Sequence, residues 1–378
     1  MKYTLTLSAN ATPLVGGQGL NLYHMATGLS EHFDVRLFCK KTFPGIPTQV
    51  VPPSKLSNGI ASIPVLRRLR DWQVRFSEVH FDKYVSRRLS RASLFQGVSG
   101  QCYWSLEAAR RLGCRTIVDS ITTHVDDFVE HQKRECAKFN IRPATSESMR
   151  RSTLGEYQRA DLIRVLSNHA RSTFLERGFE NVVVLRPPID VAEFPEAAFR
   201  EPKFRISFVG LLEPWKGFHY LVDAFNRLEL PDSELIFWGA PGSRPITKYI
   251  SEQRNRNPRI QVRPVQVRNC YGEVYAKSSV LVHPSLTEGF GYVVAEAMAS
   301  GIPVIVTRNA GAADLVKDGE SGYVIPAQDP EAIRDRLAHL AAHPALLKKM
   351  GHAARESMKA RNGEEWCAYA NALHALAS

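Results

Sequence analysis

The stretch from His283 to Met298, HPSLTEGFGYVVAEAM, restricts the fold more than any other part of this chain. Ahead of it runs Ser279-Val-Leu-Val282, apolar and β-branched, with the composition of a strand buried on both faces of a parallel sheet. Behind it, Val293 to Ala299 is rich in helix formers. Between them lies the loop Thr287-Glu-Gly-Phe-Gly291. The order is therefore strand, glycine-bearing loop, helix, the repeating unit of an α/β protein. The glycines let the backbone turn tightly and let a ligand approach it closely. Free N–H groups at the helix start, and the positive end of its dipole, favour phosphate there. Glu288 lies in the loop and Glu296 a turn into the helix, where a carboxylate can accept hydrogen bonds from a ribose diol. The stretch reads as a nucleotide-diphosphate site.

A chain of 378 residues accommodates two such domains, each large enough for its own core. Hydrophobic content of 44% and charged content of 23% are those of a soluble globular protein. MKYTLTLSAN alternates apolar residues with threonine and reads as a strand and not a signal peptide, and no apolar run is long enough to span a bilayer. Six cysteines are scattered without C-x-x-C spacing, which argues against disulfides and zinc and for a cytoplasmic setting. The net charge of +11 lies mostly in the first 200 residues and implies an anionic partner. No nucleic-acid-binding motif is present, so nucleic acid is the weakest candidate.

In chain order, residues 3–8 form a strand, Pro13 to Gly19 a glycine loop containing Gly17, Leu20 to Ser30 a helix, and Asp34 to Cys39 a second strand. G-x-G-x-x-G starting at Gly17 would need glycine where Leu22 stands, so no hydride-transfer fingerprint exists. Residues 43–62 read as a surface loop. Residues 65–91 mix arginines with Leu66, Leu69, Trp72 and Phe76 at near-helical spacing. Such a helix either packs on its own domain or lies peripherally on an anionic membrane. Strands follow near 92–96, 115–119, 162–167 and 182–185, and His124 lies beyond the second of these, at the carboxyl end where α/β ligands gather. The second half repeats the pattern: the strand Phe204 to Gly210, the loop Leu211-Leu-Glu-Pro-Trp-Lys-Gly217, then a helix. Lys216 supplies a cation there.

Glu288-Gly-Phe-Gly-Tyr-Val-Val-Ala-Glu296, followed by Ala299 to Val306, Asn309 to Asp314 and Asp318 to Val324, resembles the signature of retaining glycosyltransferases of family 4. The resemblance implies a GT-B fold, two Rossmann-like α/β domains facing a central cleft. An acceptor-side domain would cover residues 1–195 and a donor domain 203–360, with the helix about 364–378 crossing back to the first. It further implies transfer of a sugar from a nucleotide-sugar to an acceptor hydroxyl, in polysaccharide, lipopolysaccharide or glycolipid synthesis. Glu288, His124 and Lys216 would serve the chemistry. Gly17, Gly210, Lys216, Gly289, Phe290, Gly291, Tyr292 and Glu296 would bind the donor. No D-x-D carboxylate pair occurs in the sequence, so neither a divalent metal nor another cofactor is expected. One departure stands out. Leu211 occupies the position of an arginine that, in the family, grips the diphosphate beside the lysine; Arg186 and Arg244 are candidates to compensate. That loss also leaves open a non-catalytic, nucleotide-sugar-binding protein on the same fold.

Overall fold

The computed structural model describes residues 2–54, 70–196, 203–264, 271–360 and 364–378. Its strands form two all-parallel sheets. In the first, β1 (Thr4–Ser8), β2 (Asp34–Cys39), β3 (Thr48–Val50), β4 (Leu94–Val98), β5 (Arg115–Ser120), β6 (Leu162–Val165) and β7 (Val182–Val184) take the order 3-2-1-4-5-6-7. In the second, β8 (Phe204–Val209), β9 (Ser233–Trp238), β10 (Ile260–Arg263), β11 (Val280–His283), β12 (Val304–Thr307) and β13 (Gly322–Ile325) take the order 10-9-8-11-12-13. β4, β9, β11 and β12 are buried along their full length, because helices cover both faces of each sheet. Strand order reverses between β1 and β4 and again between β8 and β11. Each reversal opens a crevice at the strands' carboxyl ends, where such folds bind ligands.

The C-terminal helix, Glu364–Ala377, leaves the second domain and completes the core of the first. Tyr369, Ala370 and Leu373 pack there with Leu5, Leu22 and Met25. Tyr369 donates to Gln96 Oε1 at 3.0 Å, and His374 stacks on Phe33 at 4.5 Å.

Two strands escape the sequence reading. β3 lies inside the stretch expected to be a surface loop, and β13, four residues that open on a glycine directly after the polar turn 317–321, is too short to stand out. The helix Arg70–Arg88 occupies most of the basic stretch, while residues 65–69 lie outside the described residues. Phe81 and Val85 on that helix are core residues of the first domain. Asp82 accepts the Trp104 and Ser105 amides at 2.8 Å each, capping the helix Tyr103–Arg111. This face of the helix is thus committed to its own domain.

Candidate active site

The loop after β11 is held from three sides. Glu288 donates its amide to Asn309 O at 3.1 Å and accepts the Gly311 amide at 3.0 Å. From the first domain, Ser167 Oγ donates to Gly289 O at 2.8 Å, and the hydroxyls of Thr123 and Thr287 meet at 2.7 Å. Gly289 cannot carry a side chain here, because a Cβ would strike the Ile121 carbonyl. Gly291 sits at φ +97°, a conformation that favours glycine, and leads into the helix Tyr292–Ala299 with its first amides directed out of the loop.

Lys216 arrives on a second loop. Gly217, at φ +70°, lets that loop press against Pro284, where a Cβ would strike the carbonyl. The Leu286 amide donates to Trp215 O at 2.9 Å, locking the two loops together. As a result Lys216 Nζ stands 2.9 Å from Glu288 Oε2, with the two side chains 25% and 22% exposed and so within reach of a ligand. Burial raises the Glu288 carboxyl's pKa, but the Lys216 ammonium and, to a smaller degree, His283 together outweigh it, and the net direction is down.

Across the cleft is the start of the helix Gly16–Ser30. A Cβ on Gly17 would meet the Tyr292 ring at 3.9 Å, an ordinary contact, so the two loops face each other here with room for a small side chain. This helix is anchored by a buried network: Asn21 donates to Asp119 at 2.7 Å, and Arg164 donates to Asp119 at 2.8 Å and to Asn21 at 2.6 Å. The charges are paired and further hydrogen-bonded, as burial requires. The Tyr292 hydroxyl is buried without a partner among the described residues.

Not every expected residue faces the cleft. The His124 ring is 1% exposed and packs against Tyr157, Phe174 and Phe179 at 5.0–5.5 Å. Its Nδ1 accepts the Asp126 amide and so caps the helix Val125–Ala137. Burial, aided by Arg177, lowers its pKa to about 4. The three residues between β5 and His124 carry the chain past the cleft, which turns the imidazole into the domain core. The Phe290 side chain is likewise core, 1% exposed, leaving its backbone to the loop. Gly210, at φ +130°, ends β8, and its carbonyl is closely approached by Gly239. Glu296 is 6% exposed and accepts from Tyr275 at 2.8 Å.

Leu211 is 50% exposed. Arg186 does not compensate for it, because it is engaged by Asp314 at 3.1 Å and Glu365 at 2.9 Å. Arg244 is exposed at the start of the helix Arg244–Arg256.

His283, the last residue of β11, is a site residue that the sequence reading passed over. It is 1% exposed, and its Nε2 lies 3.8 Å from Glu288 Oε2. Burial lowers its pKa to about 4. Its place at the carboxyl end of β11, five residues before the glutamate, was the available signal. A histidine at a strand end more often serves the core.

Comparison with known proteins agrees with this architecture. Residues 191–357 match the family model described as glycosyl transferases group 1. The D-inositol 3-phosphate glycosyltransferase of Corynebacterium glutamicum (strain R) is 32% identical over 179 residues, 45% of this chain and 42% of that protein. Its namesake from Streptomyces bingchenggensis is 40% identical over 158 residues, 39% of this chain and 35% of that protein. The chain thus aligns with less than half the length of these curated relatives. Solved structures extend the likeness to nearly the whole chain. Sucrose-phosphate synthase from Thermosynechococcus elongatus superimposes with a TM-score of 0.71 at 20% identity, covering 99% of this chain and 98% of that one. Anabaena Alr3699/HepE in complex with UDP-glucose gives 0.71 at 16% identity, with 99% and 98% covered. At such identities the likeness speaks for the fold. Two doubly wound domains meeting at the loops of Gly17, Lys216 and Glu288 are a GT-B fold, and the second of them, through residues 191–357, is similar to the glycosyl transferases group 1.

Proposed function

We propose that the protein transfers a glycosyl group from a nucleoside-diphosphate sugar to an acceptor hydroxyl, with retention at the anomeric carbon. The observation that carries this reading is the Lys216–Glu288 pair at 2.9 Å, where two strand–loop–helix units of the second domain converge opposite Gly17. A cation for the diphosphate and a carboxylate for the sugar are both present there. Lys216 and the amides at Tyr292 stabilise the leaving diphosphate, a preorganised electrostatic contribution. The bond from the anomeric carbon to the phosphate oxygen breaks as the acceptor oxygen bonds from the same face. The acceptor's proton passes to the departing phosphate. Lys216 and the helix amides carry the charge without a divalent metal, in keeping with the missing D-x-D.

Support for the donor class comes from the Anabaena neighbour, whose structure contains UDP-glucose. The acceptor is a carbohydrate or lipid-linked hydroxyl. No described helix is long and apolar enough to cross a membrane. Val74 and Phe76, 42% and 37% exposed, and the exposed Arg87 and Arg88 leave the helix Arg70–Arg88 apolar and basic groups for peripheral contact with anionic lipid. The exposed Leu211 favours a second reading, a binding protein that has lost turnover. Incubation with UDP-, GDP- and ADP-sugars separates the two: product formation establishes the transferase, while saturable binding without transfer or hydrolysis establishes the binder.

A further inference from the structure

Lys216 and Glu288 satisfy each other in this structure, yet the proposed reaction needs both for the donor. When the ammonium turns to a diphosphate, Glu288 is left as a partly buried carboxylate beside a second anion. A replacement donor lies behind it. Among the described residues neither ring nitrogen of His283 has a hydrogen-bond partner, although the ring is 1% exposed. Leaving a buried polar group unpaired is unfavourable, so the ring gains from any acceptor that comes within reach. Glu288 Oε2 stands 3.8 Å away, so a shift of roughly 1 Å brings it within hydrogen-bonding distance of an Nε2–H. Gly291 makes the approach feasible, since a Cβ there would sit 3.2 Å from Nε2 and crowd the path. The charged groups acting on the ring are Glu288 and Lys216, and burial keeps the imidazole neutral, with one N–H to give.

We propose that His283 is a positioning residue that takes over the Glu288 carboxylate when a nucleoside diphosphate draws Lys216 away. The pair at rest is a mask, and donor binding exchanges one partner of Glu288 for another. The exchange frees the ammonium for phosphate and sets the carboxylate in a second, hydrogen-bonded position.

This inference rests on the proposed nucleoside-diphosphate site, and a double-mutant cycle distinguishes the failure of each. Affinity for UDP, GDP and ADP is measured by calorimetry for the unmodified protein, His283→Phe, Glu288→Gln and the double variant. Phenylalanine fills the ring's volume but donates nothing, so His283→Phe should weaken the preferred diphosphate roughly tenfold. In the Glu288→Gln background no carboxylate needs catching, and the same change should cost nothing further. His283→Gln retains a donor and should bind within about threefold of the unmodified protein; it carries the test if the phenylalanine variant does not fold. An equal loss in both backgrounds, no loss in either, or a tenfold loss in the folded His283→Gln variant overturns the exchange while leaving the site intact. An unmodified protein that binds none of the three overturns the site and the exchange together.

Discussion

Ser167 Oγ donates to the Gly289 carbonyl at 2.8 Å, tying the first domain to the loop that carries Glu288. The contact is close because neither Gly289 nor Gly311 has a Cβ; one at Gly311 would strike both the Gly289 carbonyl and Ser167. Gly289→Ala therefore sets a methyl group against the Ile121 carbonyl, backbone against backbone, with no flexible side chain to yield. The expected outcome is a cleft forced open, with transfer reduced by about a hundredfold, since small misplacements in an active site are that costly. Each domain should keep its own core. Turnover and small-angle scattering check this together, and an active enzyme of unchanged dimensions would contradict it.

Lys216→Ala should weaken a nucleoside diphosphate by roughly 10- to 100-fold, the worth of one charge-assisted hydrogen bond. The free nucleoside should lose far less, because it offers the lysine no charge. Leu211→Arg is the companion variant. Leu211 is 50% exposed and Arg186 is held by Asp314 and Glu365, so an added guanidinium has both room and a task. It should tighten the diphosphate. Calorimetry on both ligands decides the matter, and equal losses for nucleoside and diphosphate would remove Lys216 from the site.

Much of this arrangement was legible in the residues. Buried parallel strands are short, largely apolar runs, and eleven of the thirteen strands among the described residues are legible that way. The loop residues Gly17, Lys216 and Glu288 were legible through their resemblance to the family 4 motifs, because a glycine pair or a loop lysine taken alone has many other uses. Side-chain direction was not legible. His124 follows a strand and His283 ends one, yet the loop before His124 turns its ring into the aromatic core, while His283 lies against Glu288. The contacts between domains were equally hidden, since the Thr123–Thr287 and Ser167–Gly289 bonds join residues more than 120 positions apart.

Acid should weaken the fold through two buried histidines. His124 and His283 have pKa values near 4 when folded, against 6.5 for the free side chain. Between those values the unfolded chain binds protons that the native state refuses, so stability falls as pH drops from about 6.5 to about 4 and levels off below. His124→Asn keeps a side chain able to cap the helix Val125–Ala137 but removes the titration. Its melting temperature should depend less steeply on pH in that window. A slope equal to that of the unmodified protein would assign the acid sensitivity elsewhere.

The helix Arg70–Arg88 should bind anionic vesicles only weakly. Phe81 and Val85 are spent on the core, leaving Val74, Phe76, Arg87 and Arg88 exposed. Sedimentation with phosphatidylserine vesicles should show binding at low salt that fades as the Debye length shrinks to ~8 Å at physiological ionic strength. No binding at low salt would mark the helix as an ordinary solvated face.

The two glutamates of the motif should fail in different ways when changed. Glu288 sits in the loop, 22% exposed and paired with Lys216, where it can meet the transferred sugar. Glu288→Gln keeps the shape and removes the charge, so a nucleoside diphosphate should bind nearly as before. Transfer should slow by two decades or more, because the lost interaction is one that strengthens as positive charge develops in the sugar ring. Glu296 lies a turn into the helix, 6% exposed and accepting from Tyr275 at 2.8 Å. Its carboxylate is oriented before any ligand arrives, as a ribose acceptor should be. Glu296→Ala should cost nucleotide affinity by roughly one to two decades, and it should also lower the melting temperature, because the Tyr275 hydroxyl loses its 2.8 Å charged acceptor and keeps the longer bond to Val293 O at 3.4 Å. Tyr275→Phe separates these effects: it leaves the carboxylate in place, so affinity should fall less than in Glu296→Ala. Diphosphate affinity, kcat and melting temperature for the three variants form the test. Should Glu288→Gln chiefly weaken the nucleotide, or Glu296→Ala chiefly slow transfer at saturating donor, the roles belong the other way round.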